Sequence, residues 1–258
     1  MSWRYRRGFV PQWGISLVEA DWKSKDAALR ASRPVPNPPG RYFADPFVIE
    51  RDGRTYCFVE DFVHARGKAH ITVLEYRHGV ATEVGPCLDE PFHLSFPFVF
   101  EYQGELYLCP EASQSRSVRM YRCVEFPLRW ELARTALPGF PALDTLLFER
   151  QGRWWMLTCG FAGPHDPFGS ELHVFHADSP LSEHWQPLPG NPVIADRRFR
   201  AATRMLLDRD AAGKLSEVCA MYAEVLRHRG EQDRAFAVMR MAAERDFSEL
   251  SVLLKTGT

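Results

Sequence analysis

Residues 43–60 read FADPFVIERDGRTYCFVE, with the pair Asp52-Gly53 between two apolar stretches. An Asp-Gly pair between alternating hydrophobic residues is a strong β-hairpin signal, because the turn needs a positive φ that glycine adopts without strain. Comparable stretches recur at residues 96–108 and 144–157, with turn glycines at Gly104 and Gly152. A period of about 50 residues is typical of β-propeller blades rather than of helical repeats. The sequence therefore predicts an all-β propeller.

The predicted repeats cover about residues 43–92, 93–140, 141–195 and 196–258 of a single domain. A strand at residues 13–19 would pair with residues 251–254 and close the ring, since propellers protect their edge strands in this way. The pattern weakens in the last repeat, where Ala, Met, Glu and Arg between residues 217 and 245 also favour a helix. We favour a degenerate fourth repeat there, because sheet context often overrides intrinsic propensity.

Composition excludes several classes of function. The formal net charge of −1 over 258 residues gives no electrostatic basis for binding nucleic acid. No apolar run is long enough to cross a bilayer, and no hydrophobic segment follows the basic N-terminus, so we expect neither a membrane span nor a signal peptide. The six cysteines and the histidines lack the spacing of metal sites. We therefore expect a cytoplasmic protein with reduced thiols, no metal and no cofactor.

Two aspartates hold the same position in different repeats. Asp45 and Asp144 each lie eight residues before the turn glycine, and Phe96 holds that position in the second repeat. The first strands of propeller blades line a central channel, so we expect both carboxylates to face one funnel. Glycosidases use two carboxylates in this way, one to activate water or attack and one to donate a proton. The alternative is that each aspartate caps a turn through its side-chain oxygen.

Glu60 and Glu111 form a second matched pair, each seven residues after a turn glycine. A glutamate at a strand end is usually solvated, but either could face the channel. Arginine and lysine near these acids could bind hydroxyls, carboxylates or phosphates. The candidate catalytic residues are Asp45, Asp144 and Glu111, and the candidate substrate-binding residues are Arg41, Phe43, Glu60, Lys68, His93, Phe96 and Arg116.

Several of these residues belong to motifs that resemble one family. The motifs are RYFADPFV at residues 41–48, ARGK at 65–68, HLSFPFVF at 93–100, Pro110-Glu111, and Asp144 with GRWW at 152–155. They resemble the domain N-terminal to the glycosyltransferase in plant glucosamine inositolphosphorylceramide transferases, which bacteria also carry alone or fused. The resemblance covers about residues 10–200. It implies the five-bladed β-propeller fold shared with arabinanases, levansucrases, invertases and family-43 glycoside hydrolases, here with a degenerate C-terminal blade.

The resemblance also implies roles for individual residues. In family-43 glycoside hydrolases, the general base matches Asp45 and the aspartate that tunes the acid matches Asp144. The general acid is a glutamate of the fourth blade, and the region around Arg200 contains none. Glu111 is the candidate substitute, although it belongs to another repeat.

Three hypotheses remain at this point. We favour a glycoside hydrolase or transglycosidase that acts on a carbohydrate or glycoconjugate. The second is a non-catalytic glycan-binding propeller whose partner is a glycosyltransferase or another polysaccharide-assembly enzyme. The third is an interaction module without a ligand.

Overall fold

The computed structural model describes residues 13–18, 30–163, 166 and 169–195. The chain divides into two compact units, one of Met1–Val99 with Arg122–Glu131 and the other of Phe100–Tyr121 with Leu132–Thr258. The predicted fourth repeat and the ring-closing residues 251–254 lie outside the described residues. Helical conformation among the described residues is confined to residues 30–31 and a 3₁₀ turn, Ser113–Ser115. No helix among them is long and apolar enough to cross a bilayer.

A two-stranded sheet precedes the first repeat. Its strands, β1 (Ser16–Leu17) and β2 (Arg33–Pro34), are antiparallel. Ile15, next to β1, is buried in a cluster with Phe43, Cys57, Val59 and Leu74 of the first repeat. Within the described residues, the N-terminal strand is therefore anchored by β2 and by this core.

The first repeat is an antiparallel meander in which each strand pairs with the next along the chain. Its strands are β3 (Arg41–Arg51), β4 (Arg54–Val63), β5 (Lys68–Arg77) and β6 (Val80–Leu88). The turn at Asp52-Gly53 has φ values of 52° and 69°, and the turn at His78-Gly79 has 52° and 80°. Positive φ at both central positions defines the type I′ turn, whose twist matches that of paired strands. Sequence reasoning did not assign β6, because its largely exposed residues lack clear alternation.

The next two repeats follow the same plan. In the second sheet the order β10-β9-β8-β7 is again a meander, and the third sheet adds two short strands that both pair with β13. The strands are β7 (Ser95–Tyr102), β8 (Glu105–Glu111), β9 (Val118–Glu125), β10 (Arg129–Ala136), β11 (Leu143–Arg150), β12 (Arg153–Gly160), β13 (Glu171–Ala177), β14 (Gln186–Pro187) and β15 (Ile194–Ala195). Four-stranded antiparallel meanders are the units from which propeller blades are built.

The backbone conformation recurs at a single equivalent residue in each of the three repeats. Asp45, Phe96 and Asp144 have φ values of 47°, 48° and 47°. In the first and third sheets the strand register shifts across this residue, which marks a β-bulge. Bulges re-aim side chains, and left-handed φ costs a non-glycine residue of order 1–3 kcal/mol, less for asparagine and aspartate. The same strained residue at the start of three first strands shows that these repeats are structurally equivalent at this position.

The cysteines at strand positions are core residues. Cys57, Cys109 and Cys159 are buried and form no disulfide. Burial raises the pKa of Cys57 to about 12, so this thiol stays protonated at neutral pH. Its environment is that of a small apolar side chain rather than of a reactive nucleophile.

Candidate functional site

The first candidate cluster lies in the first unit, around the bulge of β3. Asp45 is half-buried at the bulge itself. Glu60 on β4 pairs with Ala44, the residue before Asp45, and is only 7% exposed. The bulge and the strand pairing therefore place two acidic residues at the same end of the sheet.

His93 joins this cluster from the segment that leads into β7. Its Nε2 atom lies 3.6 Å from Oε1 of Glu60. Its Nδ1 atom accepts a hydrogen bond from the backbone N–H of Ala69 at 3.1 Å. Because Nδ1 accepts, the proton of the neutral ring is on Nε2 and points toward Glu60.

The electrostatics around His93 favour this neutral form. Burial lowers the pKa of His93, the negative charge of Asp45 opposes that change, and the positive charge of Lys68 adds to it. Asp45 and Lys68 are thus close enough to His93 to influence its protonation. The cluster therefore combines an N–H donor with carboxylate acceptors.

Aromatic side chains form the apolar part of this cluster. The ring of Phe96 is 1% exposed and meets Phe47 edge-on, with 5.1 Å between the ring centroids. The ring of Phe62 lies 6.1 Å from that of His93. Phe43 is different, because its ring is buried in the core beneath β1. Phe43 therefore supports the strand that carries Asp45.

The basic residues predicted to bind substrate are engaged with acids of the sheet. Arg41 donates to Asp61 at 2.6 Å and to Glu83 at 2.8 Å. Lys68 donates to Asp89 at 2.6 Å and to the carbonyl oxygen of Glu90. Burial opposes ionisation of Asp89, but hydrogen bonds from Lys68 and Arg66 lower its pKa below the usual range. These cations therefore hold strands and loops of the first repeat together.

Asp61 is the main residue of this region that sequence reasoning missed. It is fully buried, and its Oδ2 atom accepts from Arg41 and, at 2.8 Å, from Thr72. His70 Nε2 lies 3.3 Å from the same oxygen. Asp61 thus connects β3, β4 and β5 next to Glu60. Two adjacent acids, Glu60-Asp61, in an otherwise apolar strand are the signal that could have revealed it, since a buried carboxylate needs partners.

A second cluster lies in the second unit and contains two of the predicted catalytic acids. Asp144 is 1% exposed, and its backbone N–H donates to Oε2 of Glu111 at 3.3 Å. Beside it, the hydroxyls of Thr145 and Thr158 are 2.8 Å apart. The matched glutamates thus behave alike, because Glu60 and Glu111 each approach the chain that enters the following repeat.

The chemistry of this second cluster is restricted. A backbone N–H donates to one carboxylate oxygen of Glu111, so the protein itself uses part of the hydrogen-bonding capacity of this side chain. Arg116 lies nearby in sequence, where its guanidinium donates to the carbonyl oxygen of Gly139 at 2.7 Å and its own carbonyl accepts from the Gly139 N–H. Arg116 thus holds two loops together. Asp45 belongs to the other unit, so a funnel shared by Asp45 and Asp144 stays a prediction.

A cavity of about 830 Å³ also lies in the first unit, bordered by Val48, Gly53, Arg54 and His78 among others. It is at the hairpin-turn end of the sheet, whereas the cluster of Asp45, Glu60 and His93 is at the other end. We place the candidate site at that cluster, because it holds the polar groups suited to bind a ligand. The described residues contain no group of three metal-ligating side chains.

Sequence similarity links the chain to one family. The family described as "Glucosamine inositolphosphorylceramide transferase 1, N-terminal" matches residues 27–257. Glucosamine inositolphosphorylceramide transferase 1 of Arabidopsis thaliana is 30% identical over 187 residues, which cover 69% of this chain and 24% of the relative. The protein of the same name from Oryza sativa subsp. japonica is 32% identical over 157 residues, covering 60% and 21%. The chain thus spans about a quarter of the length of these relatives.

Among solved structures, an exo-β-1,3-galactanase from Clostridium thermocellum matches with a TM-score of 0.50 and 14% identity, over 64% of this chain and 41% of that chain. Likeness at this identity establishes the fold. The all-β fold of the propeller class, predicted from the glycine-turn period, is therefore confirmed. The family match relates the chain to proteins that are themselves named as glucosamine inositolphosphorylceramide transferases.

Proposed function

The chain belongs to the family of N-terminal domains of glucosamine inositolphosphorylceramide transferases, and we propose that it is a glycan-recognition module. Its binding site is the cluster of Asp45, Glu60 and His93. In this proposal the module holds a carbohydrate or glycoconjugate for a partner glycosyltransferase. The names and lengths of the relatives support that role, since this chain matches only about a quarter of proteins named as transferases.

The proposal rests on the short distance between the side chains of Glu60 and His93. An N–H donor and a carboxylate acceptor lie 3.6 Å apart, and one hydroxyl oxygen can lie at roughly 2.8 Å from both. A sugar hydroxyl both donates and accepts, so it suits this arrangement. The tautomer is already set by the Ala69 N–H, so binding needs no change in protonation.

Hydrolysis or transglycosylation is the second candidate. The observation that favours it is the strained backbone at Asp45 and Asp144, because such strain is concentrated at active sites. In this mechanism Asp45 is the base or nucleophile, Asp144 orients the reacting groups and Glu111 donates the proton. We rank it second because the region around Arg200 contains no glutamate to serve as the general acid, and loss of general-acid help costs roughly 100- to 10,000-fold in rate.

The test is a glycan panel, including β-1,3-galactan, that is scored for both binding and cleavage. We expect the wild type to bind, and Glu60→Gln and Asp45→Asn each to weaken binding roughly tenfold or more, because a hydrogen bond to a charged group is lost. Glu125→Gln is the matched control, since Glu125 is an exposed member of an ion pair with Arg129 in the same unit.

The outcomes separate the functions. Binding without turnover supports the recognition module. Turnover that Asp45→Asn abolishes would replace it with the hydrolase. Absence of both binding and turnover would overturn both and leave an interaction module. The cytoplasmic location and the single-domain organisation stay predictions from the sequence.

A further inference from the structure

We propose that Arg66 and Lys68 form an anion-binding element beside the cluster of Asp45, Glu60 and His93, and that the glycan held there carries a phosphate group. This inference rests on the proposed glycan recognition and adds the class of ligand. The two cations belong to the ARGK motif at residues 65–68. A phosphorylated oligosaccharide and the headgroup of a lipid both supply the required chemistry, and experiment distinguishes them.

The turn between β4 and β5 presents these two cations at the candidate site. The backbone N–H groups of Arg66 and Gly67 both donate to the carbonyl oxygen of Val63 at 3.0 Å, and Gly67 has a φ of 63°. Lys68 opens β5, and after burial its charge helps to lower the pKa of His93. The tight turn therefore fixes both cations at the end of the sheet that carries the candidate site.

The carboxylate of Asp89 is shared by the two cations. Arg66 uses only Nη2 for it, at 3.0 and 2.9 Å from the two oxygens. Nζ of Lys68 donates to Oδ1 of Asp89 at 2.6 Å and to the carbonyl oxygen of Glu90. Among the described residues, Nε and Nη1 of Arg66 have no hydrogen bond, and the side chain is 41% exposed. Arg66 therefore keeps N–H groups that a ligand oxygen can accept from.

The ionisation of Asp89 reports the sign of the local field. Burial opposes ionisation, yet the hydrogen bonds and charges of Lys68 and Arg66 lower the pKa of this carboxyl below its usual range. Negative charge is thus stabilised beside these two cations. The field at this edge of the candidate site favours an anionic group on the ligand.

A phosphate group suits this element better than a carboxylate does. A phosphate monoester presents three strong acceptor oxygens and a charge of about −1.5 to −2 near neutral pH. Arginine offers it several N–H groups and lysine a compact positive charge. The element thus complements the neutral N–H of His93, which suits a sugar hydroxyl, and together they would hold a phosphorylated sugar.

The inference is tested with a β-1,3-linked galacto-oligosaccharide, the same chain carrying a 6-phosphate, and the same chain oxidised at C6 to a uronic acid. We expect the phosphorylated chain to bind at least about tenfold more tightly than either of the others at low salt, because it gains hydrogen bonds between charged groups. Raising the salt concentration should narrow that difference, because screening weakens the attraction.

Two further probes identify the source of the phosphate. Inorganic phosphate should compete with the phosphorylated oligosaccharide. Vesicles of phosphatidylcholine that contain phosphatidylinositol present a phosphate in a lipid headgroup, and vesicles of phosphatidylcholine alone are their control. Binding to the phosphatidylinositol vesicles that inorganic phosphate inhibits would support a lipid source. Binding to the phosphorylated oligosaccharide alone would support a soluble glycan.

Two substitutions with opposite expected effects make the test decisive. Arg66→Gln should weaken binding of the phosphorylated chain roughly tenfold and affect the neutral chain much less, because a charged donor is lost. Asp89→Asn should strengthen it several-fold, since the countercharge is removed and one oxygen stays for Lys68. A misfolded variant would not bind more tightly. Arg54→Gln is the matched control, because Arg54 is 56% exposed and pairs with Glu75 at the hairpin-turn end of the sheet.

The failures of the two proposals are distinguishable. Equal binding of the phosphorylated and neutral chains, or phosphate binding that Arg66→Gln leaves unchanged or Asp89→Asn weakens, would overturn the anion-binding element and leave glycan recognition standing. A uronic-acid chain bound as tightly as the phosphorylated chain would overturn phosphate as the recognised group. Absence of binding to every oligosaccharide would overturn glycan recognition and this inference with it.

Discussion

The first and third repeats place different chemistry on the same backbone positions. Arg41 and Phe140 each lie twelve residues before the turn glycine, and Asp61 and Gly160 each lie eight after it. On the third strand, His70 pairs with Asp61, and Glu171 pairs with Gly160. In the first repeat these positions hold a buried ionic network.

In the third repeat the corresponding space is filled by rings. The ring of Phe140 meets that of His173 edge-on, at 4.9 Å between centroids, and His173 Nε2 lies 3.1 Å from Glu171 Oε2. A Cβ atom added at Gly160 would lie 2.8 Å from His173 Nε2 and 2.9 Å from Phe140 Cζ. The two repeats thus differ at both positions, with Arg41 and Asp61 in the ion network and Phe140 and Gly160 at the aromatic contact.

The largest expected effect comes from breaking the ionic network. Arg41→Met should lower the free energy of unfolding by about 3–5 kcal/mol, because the fully buried carboxylate of Asp61 loses its arginine partner. Urea unfolding measures this change. The double variant Arg41→Met, Asp61→Leu should recover much of the loss, since an apolar pair leaves no uncompensated charge. A single-variant loss below about 1 kcal/mol would contradict a structural role for the network.

The next largest effect is expected from adding a side chain at Gly160, beside the aromatic rings of the third repeat. Gly160→Ala should destabilise the protein by about 1–3 kcal/mol, because the added methyl group overlaps the packed rings of His173 and Phe140. Thermal unfolding is a suitable measurement. Adding Phe140→Leu should relieve part of the overlap, and a neutral Gly160→Ala would show that the rings move aside.

A pH titration compares two partly buried imidazoles, His93 in the first repeat and His173 in the third. Burial lowers the pKa of His93, and it lowers that of His173 despite the opposing charge of Glu171. The unfolded chain therefore takes up protons near pH 6.5 that the folded chain resists, so stability is present above that pH and falls as the pH drops toward 5. Denaturant unfolding at several pH values should show that the free energy of unfolding of His93→Gln falls less steeply with decreasing pH than that of the wild type. The charged groups near His93 are Asp45, Glu60 and Lys68.

An unchanged pH profile in His93→Gln would mean that His93 does not resist protonation in the folded protein. His173→Gln provides the comparison in the third repeat. The double variant should be the least sensitive to pH in this window.

The smallest expected effect tests the equivalence of the turns. Gln103 and Gln151 each precede a turn glycine, and the φ values of these two glutamines are 53° and 54°. Asparagine tolerates this conformation better, so Gln103→Asn and Gln151→Asn should each stabilise by about 0.5 kcal/mol. Precise thermal unfolding can resolve such a change. A stabilisation in only one repeat would show that the turns are under different constraints.

Local patterns predicted much of the fold. Turn glycines between alternating hydrophobic residues identified the hairpins. The shared distance to those glycines identified Asp45 and Asp144 as equivalent residues. The strand β6 was missed because exposed residues carry little periodic signal. Asp61 was missed because a buried carboxylate looks like a surface residue until its partners, which lie on two other strands, are known.

The sequence by itself determined the hairpin turns, the repeat period and the family, because these depend on neighbours within a few residues or on motifs read in order. Only the tertiary structure decided the tautomer of His93, the engagement of Arg41 and Lys68 with acids, and the contact of Glu111 with the Asp144 backbone. Those features join groups separated by twenty or more residues in the chain. Their energies depend on burial and on distances of a few ångströms, which appear only when the strands are paired.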